Sequence, residues 1–207
     1  FLIFFFFLGS YLSLSIGITH DEYINNYVWE INKNKIQNIF LNTNHDVSSL
    51  NSYLGYYGIS FNFFSFPFEY ILNSFFDFNH ITEEGKKLLI KHFSVFSLFI
   101  ISALYFKKII TLITRDKNYG KLTTVFYLTY PYLFGHSLFN IKDIPFMSIW
   151  LICTYYLIII LNNLFYKSEI KLRHILLLSF FTSFLISLRV SGVLIFIEYL
   201  IFLIFYL

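Results

Sequence analysis

The chain has 207 residues, a mass of 24.8 kDa and a formal net charge of +3; 57% of its residues are hydrophobic, only 13% are charged, and Phe and Tyr number 29 and 17. That balance leaves too little polar cover for a water-soluble globule and far too much apolar content for a disordered chain. A single cysteine, Cys153, excludes a disulfide framework or a cysteine-based zinc site, and the small scattered positive charge leaves no footprint for nucleic acid. The class that remains is all-α: a polytopic bundle of transmembrane helices.

A span needs roughly 20 largely apolar residues. The first candidate covers residues 1–18. It opens FLIFFFFLGS with no Met, and the chain stops inside the apolar run FLIFYL, so both ends read as cuts in a longer membrane protein. No basic region or small-residue cleavage site marks the opening as a signal peptide.

Thr19-His20-Asp21-Glu22 follows directly. Residues 21–39 have helical periodicity, with Tyr23, Tyr27 and Ile31 at four-residue spacing, and Thr19 with Glu22 three residues on makes a capping box. Partial desolvation at a membrane edge strengthens a carboxylate as a base, so Asp21 and Glu22 are candidate catalytic acids or bases. The plainer reading is capping, with acidic side chains favoured by the helix dipole. Residues 42–51 are polar and read as a loop. His45, Asp46 and His80 read as solvated side chains.

Residues 58–76 are long enough to cross but carry Asn62, Pro67, Glu69 and Asn73, which suits an interfacial or re-entrant element better. Further spans are predicted at 88–106, 122–139, 144–161, 175–188 and from 193 onward, giving about six. Lys91-His92, at the outer end of the second, falls near lipid headgroups. The clearest basic loops are 107–121 (Lys107, Lys108, Arg115, Lys117, Lys121) and 167–173 (Lys167, Lys171, Arg173). Two spans separate them, so both lie on the cytoplasmic side. Residues 19–87 then form one long external loop, and the 137–143 connection and the break at Arg189 are external as well.

Two of those external breaks concentrate chemistry. Residues 135–145 hold His136, Asn140, Lys142 and Asp143, with Pro145 suited to a first helical turn and Asp143 to an N-cap. Capping plus a snorkelling Lys142 explains part of this cluster but not all of it. Arg189, in Arg189-Val-Ser-Gly192, carries the forked donors that hold a phosphate, or else snorkels to the interface. Glu198 lies deeper and is a possible partner for Arg189. His20, His45, His80 and His136 are candidate ligands for a divalent metal, yet none pairs at i, i+3 or i+4 spacing, so no metal site or cofactor is assigned. No Gly-rich phosphate loop, HExxH or GxSxG motif occurs.

The order of these parts carries a resemblance. An Asp21-Glu22 pair follows the first span, and a long loop leads to a span entered by Glu84-Gly-Lys-Lys-Leu88. A short basic loop then runs from Arg115 to Gly120. Pro131-Tyr-Leu-Phe-Gly-His136 leads to Asp143-Ile-Pro145-Phe146, and Leu188-Arg189-Val-Ser-Gly192 comes two spans later. In this order the chain resembles the N-terminal half of a GT-C superfamily glycosyltransferase. The nearest type is the dolichyl-phosphate-mannose-protein mannosyltransferases and aminoarabinose transferases. The resemblance implies an inverting enzyme that moves a sugar from a polyprenyl-phosphate donor to a protein, lipid or glycan acceptor. It implies an integral protein of a bacterial inner (cell) membrane, with the active site facing the periplasm or exterior. It makes Asp21 the catalytic carboxylate with Glu22 beside it, and Asp143 a second acid in the same cavity. Relatives often carry Lys-Pro-Pro where Tyr56-Tyr57-Gly58-Ile59 stands here. Donor phosphate therefore falls to His136, Lys142 and Arg189, with Asn140 alongside. The competing classes are a transporter or channel with Asp143, Arg189 and Glu198 along a solute path, and a purely structural subunit. The enzyme needs its charges together at one membrane edge; the transporter needs them near the midplane.

Overall fold

A computed structural model describes residues 1–43, 58–74 and 82–206. His45, Asp46, Tyr56, Tyr57 and His80 lie outside the described residues. Among the described ones all regular structure is helical: α1 (Leu2–Ser15), α2 (His20–Leu41), α3 (Ser60–Leu72), α4 (Glu83–Thr114), α5 (Lys117–Thr129), α6 (Pro131–Ser137), α7 (Asp143–Phe165), α8 (Leu172–Leu188), a 3-10 turn over Val190–Leu194, and α9 (Ile195–Tyr206).

Two helices, α4 and α7, are each long and apolar enough to cross a membrane, and the bent pair α1–α2 raises the number to three. The six predicted spans are not all continuous helices of spanning length. Residues 122–139 divide between α5 and α6, because Pro131 supplies no backbone N–H and its ring steers Tyr130 into extended backbone (φ −62°, ψ 116°). The apolar helices α8 and Val190–Phe205 are shorter than a full span. By contrast α4, with 32 residues, runs roughly 48 Å, longer than the roughly 30 Å hydrocarbon layer. Within 58–76 the helix α3 has 13 residues, too short to cross.

The centre of the bundle is α4. Val95, Phe96, Phe99 and Ala103 have no exposed surface, and α1, α3, α5 and α7 pack around them. Phe96 is the hub of an aromatic cluster with Phe5, Phe6, Phe99 and Phe134. α7 then carries α8 on its other side. The periphery is inverted relative to a soluble protein. Phe4 and Phe7 of α1, Phe180 of α8, and Leu200, Ile204 and Phe205 of α9 are all exposed. α3 buries Ser60, Asn62, Ser65 and Glu69 while exposing Phe63, Phe66, Tyr70 and Ile71. Polar groups inward and apolar groups outward are what a lipid environment selects.

The helices sort their charges to two ends. At one end Arg115, closing α4, donates to the Tyr166 hydroxyl beyond α7 (3.4 Å), and Lys107 and Lys121 lie beside Phe1–Ile3 of α1. Both basic loops, 107–121 and 167–173, therefore share an end, as expected from the two spans between them. At the other end lie the α1–α2 elbow, the start of α4, the 138–142 loop and the close of α8. Lys91 and His92 do not sit among lipid headgroups as expected; at 1% and 0% exposure they are inside the bundle.

Candidate functional site

The charged end opens into a cleft of about 510 Å³ between α2, α3, the 138–142 loop and the close of α8. Its polar lining is Asn25, Asn62, Lys142, Arg189 and Ser191; Phe61 and Leu188 supply apolar wall. Gly58 borders it for a steric reason: a Cβ there would lie 2.2 Å from the Ser187 carbonyl oxygen and 2.3 Å from that of Leu188. Only a residue without a side chain lets the chain entering α3 lie so close to the end of α8.

Arg189 follows the last helical residue of α8 in extended backbone (φ −151°, ψ 140°), which turns its side chain toward α7. Its Nη1 lies 2.7 Å from Asp143 Oδ1, with the two side chains 40% and 55% exposed. The guanidinium also stands 6.0 Å from the centre of the Phe146 ring. An exposed pair of this kind adds little stability. Its consequence is geometric, since it holds the fork of donors at the cleft wall.

Asn140 builds the loop that presents Lys142 and Asp143. Its side-chain oxygen accepts from the backbone N–H of Lys142 (3.1 Å) and Asp143 (2.8 Å). Its Nδ2 donates to Asp143 Oδ2 (3.0 Å) and His136 Nδ1 (3.1 Å). The expectation that Asp143 caps α7 is corrected here. Lys142 is the N-cap residue, Asp143 lies inside the first turn, and Asn140 does the capping. That frees Asp143's carboxylate for Arg189. His136 stacks with Tyr132 (4.4 Å) and Phe139 (5.6 Å) and holds the loop; it is not part of the cleft lining.

Asp21 and Glu22 part company. Glu22 is 2% exposed and faces inward. Its Oε1 accepts from the backbone N–H (3.0 Å) and hydroxyl (2.7 Å) of Thr19, the capping box read from the sequence. Its Oε2 meets His92 Nε2 at 2.5 Å, and His92 Nδ1 donates to the Ser13 carbonyl (3.1 Å). The ring is thereby held between α1 and α2. Burial raises the Glu22 carboxyl, but the bond and charge of His92 and the Thr19 donors outweigh it and hold the group below its ordinary range. Glu22 thereby locks α1, α2 and α4 at the 88° elbow. Asp21 is exposed at the start of α2, one turn before Asn25, whose side chain lines the cleft. Asp21 itself is not among the residues that line the cleft.

Behind the cleft runs a polar seam that sequence reasoning missed. Lys91 Nζ donates to Asn26 Oδ1 (2.9 Å) and lies 3.9 Å from Glu69 Oε1. Asn26 Nδ2 donates to Glu84 Oε1 (3.0 Å), and the Ser65 hydroxyl donates to Glu69 (2.7 Å). The seam ties α2 and α3 to α4. The signal available was the placement of Lys91-His92 directly before 14 uncharged residues, 93–106, where unpaired charge is costly.

Glu198 does not partner Arg189. It accepts from the Trp150 indole N–H and the Thr154 hydroxyl (2.7 Å) on α7. Trp150 lies seven residues beyond Asp143 on α7, roughly 10 Å deeper along the axis. Among the described residues no group of three His, Cys, Asp or Glu converges as metal ligands. No protein-family model, curated protein or solved structure matches the chain.

Proposed function

We propose that the cleft is the donor-phosphate side of the active centre of a membrane glycosyltransferase. The sugar moves from a polyprenyl-phosphate donor to an acceptor hydroxyl with inversion at the anomeric carbon. The observation that carries this reading is the meeting of Lys142 and Arg189, from distant parts of the chain, in one cleft with Asn25 and Asn62. Two cations at a shared wall suit a phosphate leaving group, and two amides suit sugar hydroxyls.

In this mechanism Asp21 takes the proton of the acceptor hydroxyl as its oxygen bonds to the anomeric carbon. The bond from that carbon to the donor phosphate oxygen breaks in the same step, and the phosphate keeps the electron pair. Lys142 and Arg189 stabilise the charge that develops there. Asp143 holds Arg189 in place rather than touching sugar, and Glu22 holds the elbow that carries Asp21. The prenyl tail lies along the exposed apolar helices. Opposite the cleft lie both basic loops, so the positive-inside rule favours a periplasmic or external site in a bacterial cell membrane.

The test is transfer by the intact protein in membranes. Asp21→Asn lowers kcat by about 10²- to 10⁴-fold with donor KM little changed. Wild-type transfer by this variant overturns the reading. Mass spectrometry of lipid-linked sugars and glycans, in cells with and without the gene, identifies the sugar and the acceptor.

A further inference from the structure

The opposite end of the bundle gathers a second set of cations. Lys107 and Lys108 stand near the end of α4, Lys117 and Lys121 at the start of α5, and all four line one groove of about 530 Å³. Its apolar wall comes from Leu104, Leu112 and Tyr155. A second groove, also about 530 Å³, shares Lys107 and Lys121 and runs along Phe1, Ile3 and Val125. The two grooves thus flank one pair of lysines.

The cations are held there by packing. Gly120 lets α5 lie against α4: a Cβ at that position would come within 2.3 Å of the Thr111 hydroxyl and 3.2 Å of the Lys107 carbonyl. Lys108 is fixed above the rings of Tyr105 (4.7 Å) and Tyr155 (5.3 Å). Lys117 and Lys121 are four residues apart on one helix face and repel each other. Among the described residues no carboxylate lines either groove or pairs with these lysines. Asp116, the acid in this turn, is used to cap α5 and accepts from the Asn118 (2.7 Å) and Tyr119 (3.3 Å) backbone N–H groups.

We propose that this face binds an anionic phospholipid, its phosphate among Lys107, Lys117 and Lys121 and its acyl chains in the two apolar grooves. Clustered cations with no carboxylate at hand require an anion. The apolar walls require that the anion carry hydrocarbon; Leu104 in the wall and Leu122 and Phe126 on α5 are exposed. A leaflet lipid meets both requirements, and a soluble anion meets only the first. The site is independent of the transferase reading, since it lies at the far end of the bundle from the cleft.

The experiment uses the purified intact protein in detergent, titrated with phosphatidylglycerol, phosphatidylcholine or inorganic phosphate, and follows thermal stability and lipid retained in native mass spectra. Phosphatidylglycerol raises the melting temperature and stays bound; phosphatidylcholine and inorganic phosphate do neither. Lys107→Gln with Lys121→Gln weakens phosphatidylglycerol binding by roughly 25-fold, about fivefold for each lysine. Lys107→Arg with Lys121→Arg retains it, which separates lost charge from lost fold. Equal binding of phosphatidylcholine, equal stabilisation by inorganic phosphate, or undiminished binding by the Gln variant overturns the proposal.

Discussion

Removing His92 tests how the elbow is held. The ring has no exposed surface, its Nε2 is 2.5 Å from Glu22 Oε2, and its Nδ1 donates to the Ser13 carbonyl. His92→Ala leaves the buried Glu22 carboxyl without its ring partner and the buried Ser13 carbonyl with no donor. Breaking a buried pair from one side costs about 3–5 kcal/mol. Glu22→Gln keeps an acceptor for Thr19 and costs less, about 1–3 kcal/mol. The double variant Glu22→Gln/His92→Ala falls short of the sum of its single changes by about 2 kcal/mol, because each single change strands the other group. Equilibrium unfolding in mixed micelles, followed through Trp29 on α2, measures all of these; Trp29 is buried and packs on Phe63 at 5.1 Å. The pH dependence has a definite sign. Glu22 is held below its ordinary range when folded, so its contribution is present above the ordinary carboxylate range and is lost as pH falls through the lowered folded value. Glu22→Gln lacks that acid limb. Single changes that each cost under about 1 kcal/mol and simply add would refute the buried-pair account.

Three further outcomes follow from the cleft. Arg189→Gln raises donor KM about tenfold or more while stability moves by no more than about 0.5 kcal/mol, and Arg189→Lys does not restore affinity because a point charge cannot replace the fork; an unchanged KM removes Arg189 from the phosphate site. Gly58→Ala costs about 1–3 kcal/mol and lowers Tm by several degrees, since its methyl meets backbone oxygens that cannot move aside; an unshifted Tm contradicts the close approach to α8. Glu198→Gln keeps an acceptor for Trp150 and Thr154 and leaves transfer within about twofold; a hundredfold loss would place Glu198 in the transfer machinery.

Local signals in the sequence located much of this architecture. Hydropathy identified α7 and the core of α4, since an apolar run between caps has few other outcomes in lipid. The Thr19–Glu22 capping box and the shared end of the two basic loops were readable for the same reason: each depends on residues close in sequence or on counting spans. Long-range pairing was not readable. Lys91 and His92 look like an interfacial pair until α2 and α3 fold over them, because Asn26, Glu69 and Glu22 lie on other helices. Asp143 looks like a cap because the sequence does not say that Asn140 reaches the same N–H first. The third predicted span hid its break at Tyr130–Pro131 because its average hydropathy stays high across it.

The proposed function makes Asp21 the base with Glu22 beside it, and helix geometry turns that assignment into a measurable distinction. Neighbouring residues on an α-helix point roughly 100° apart, so Asp21 and Glu22 cannot both face the bundle or both face the cleft. Glu22 meets His92 inside the bundle, and Asp21 is on the exposed side. The two positions therefore fail in different ways. Asp21→Asn loses the chemical step and keeps its Tm. Glu22→Gln lowers Tm, and the molecules that remain folded still transfer sugar. Comparing initial rates per folded molecule with melting curves for the two variants separates these roles. The opposite pattern, with Glu22→Gln stable but inactive and Asp21→Asn active, would reverse the assignment.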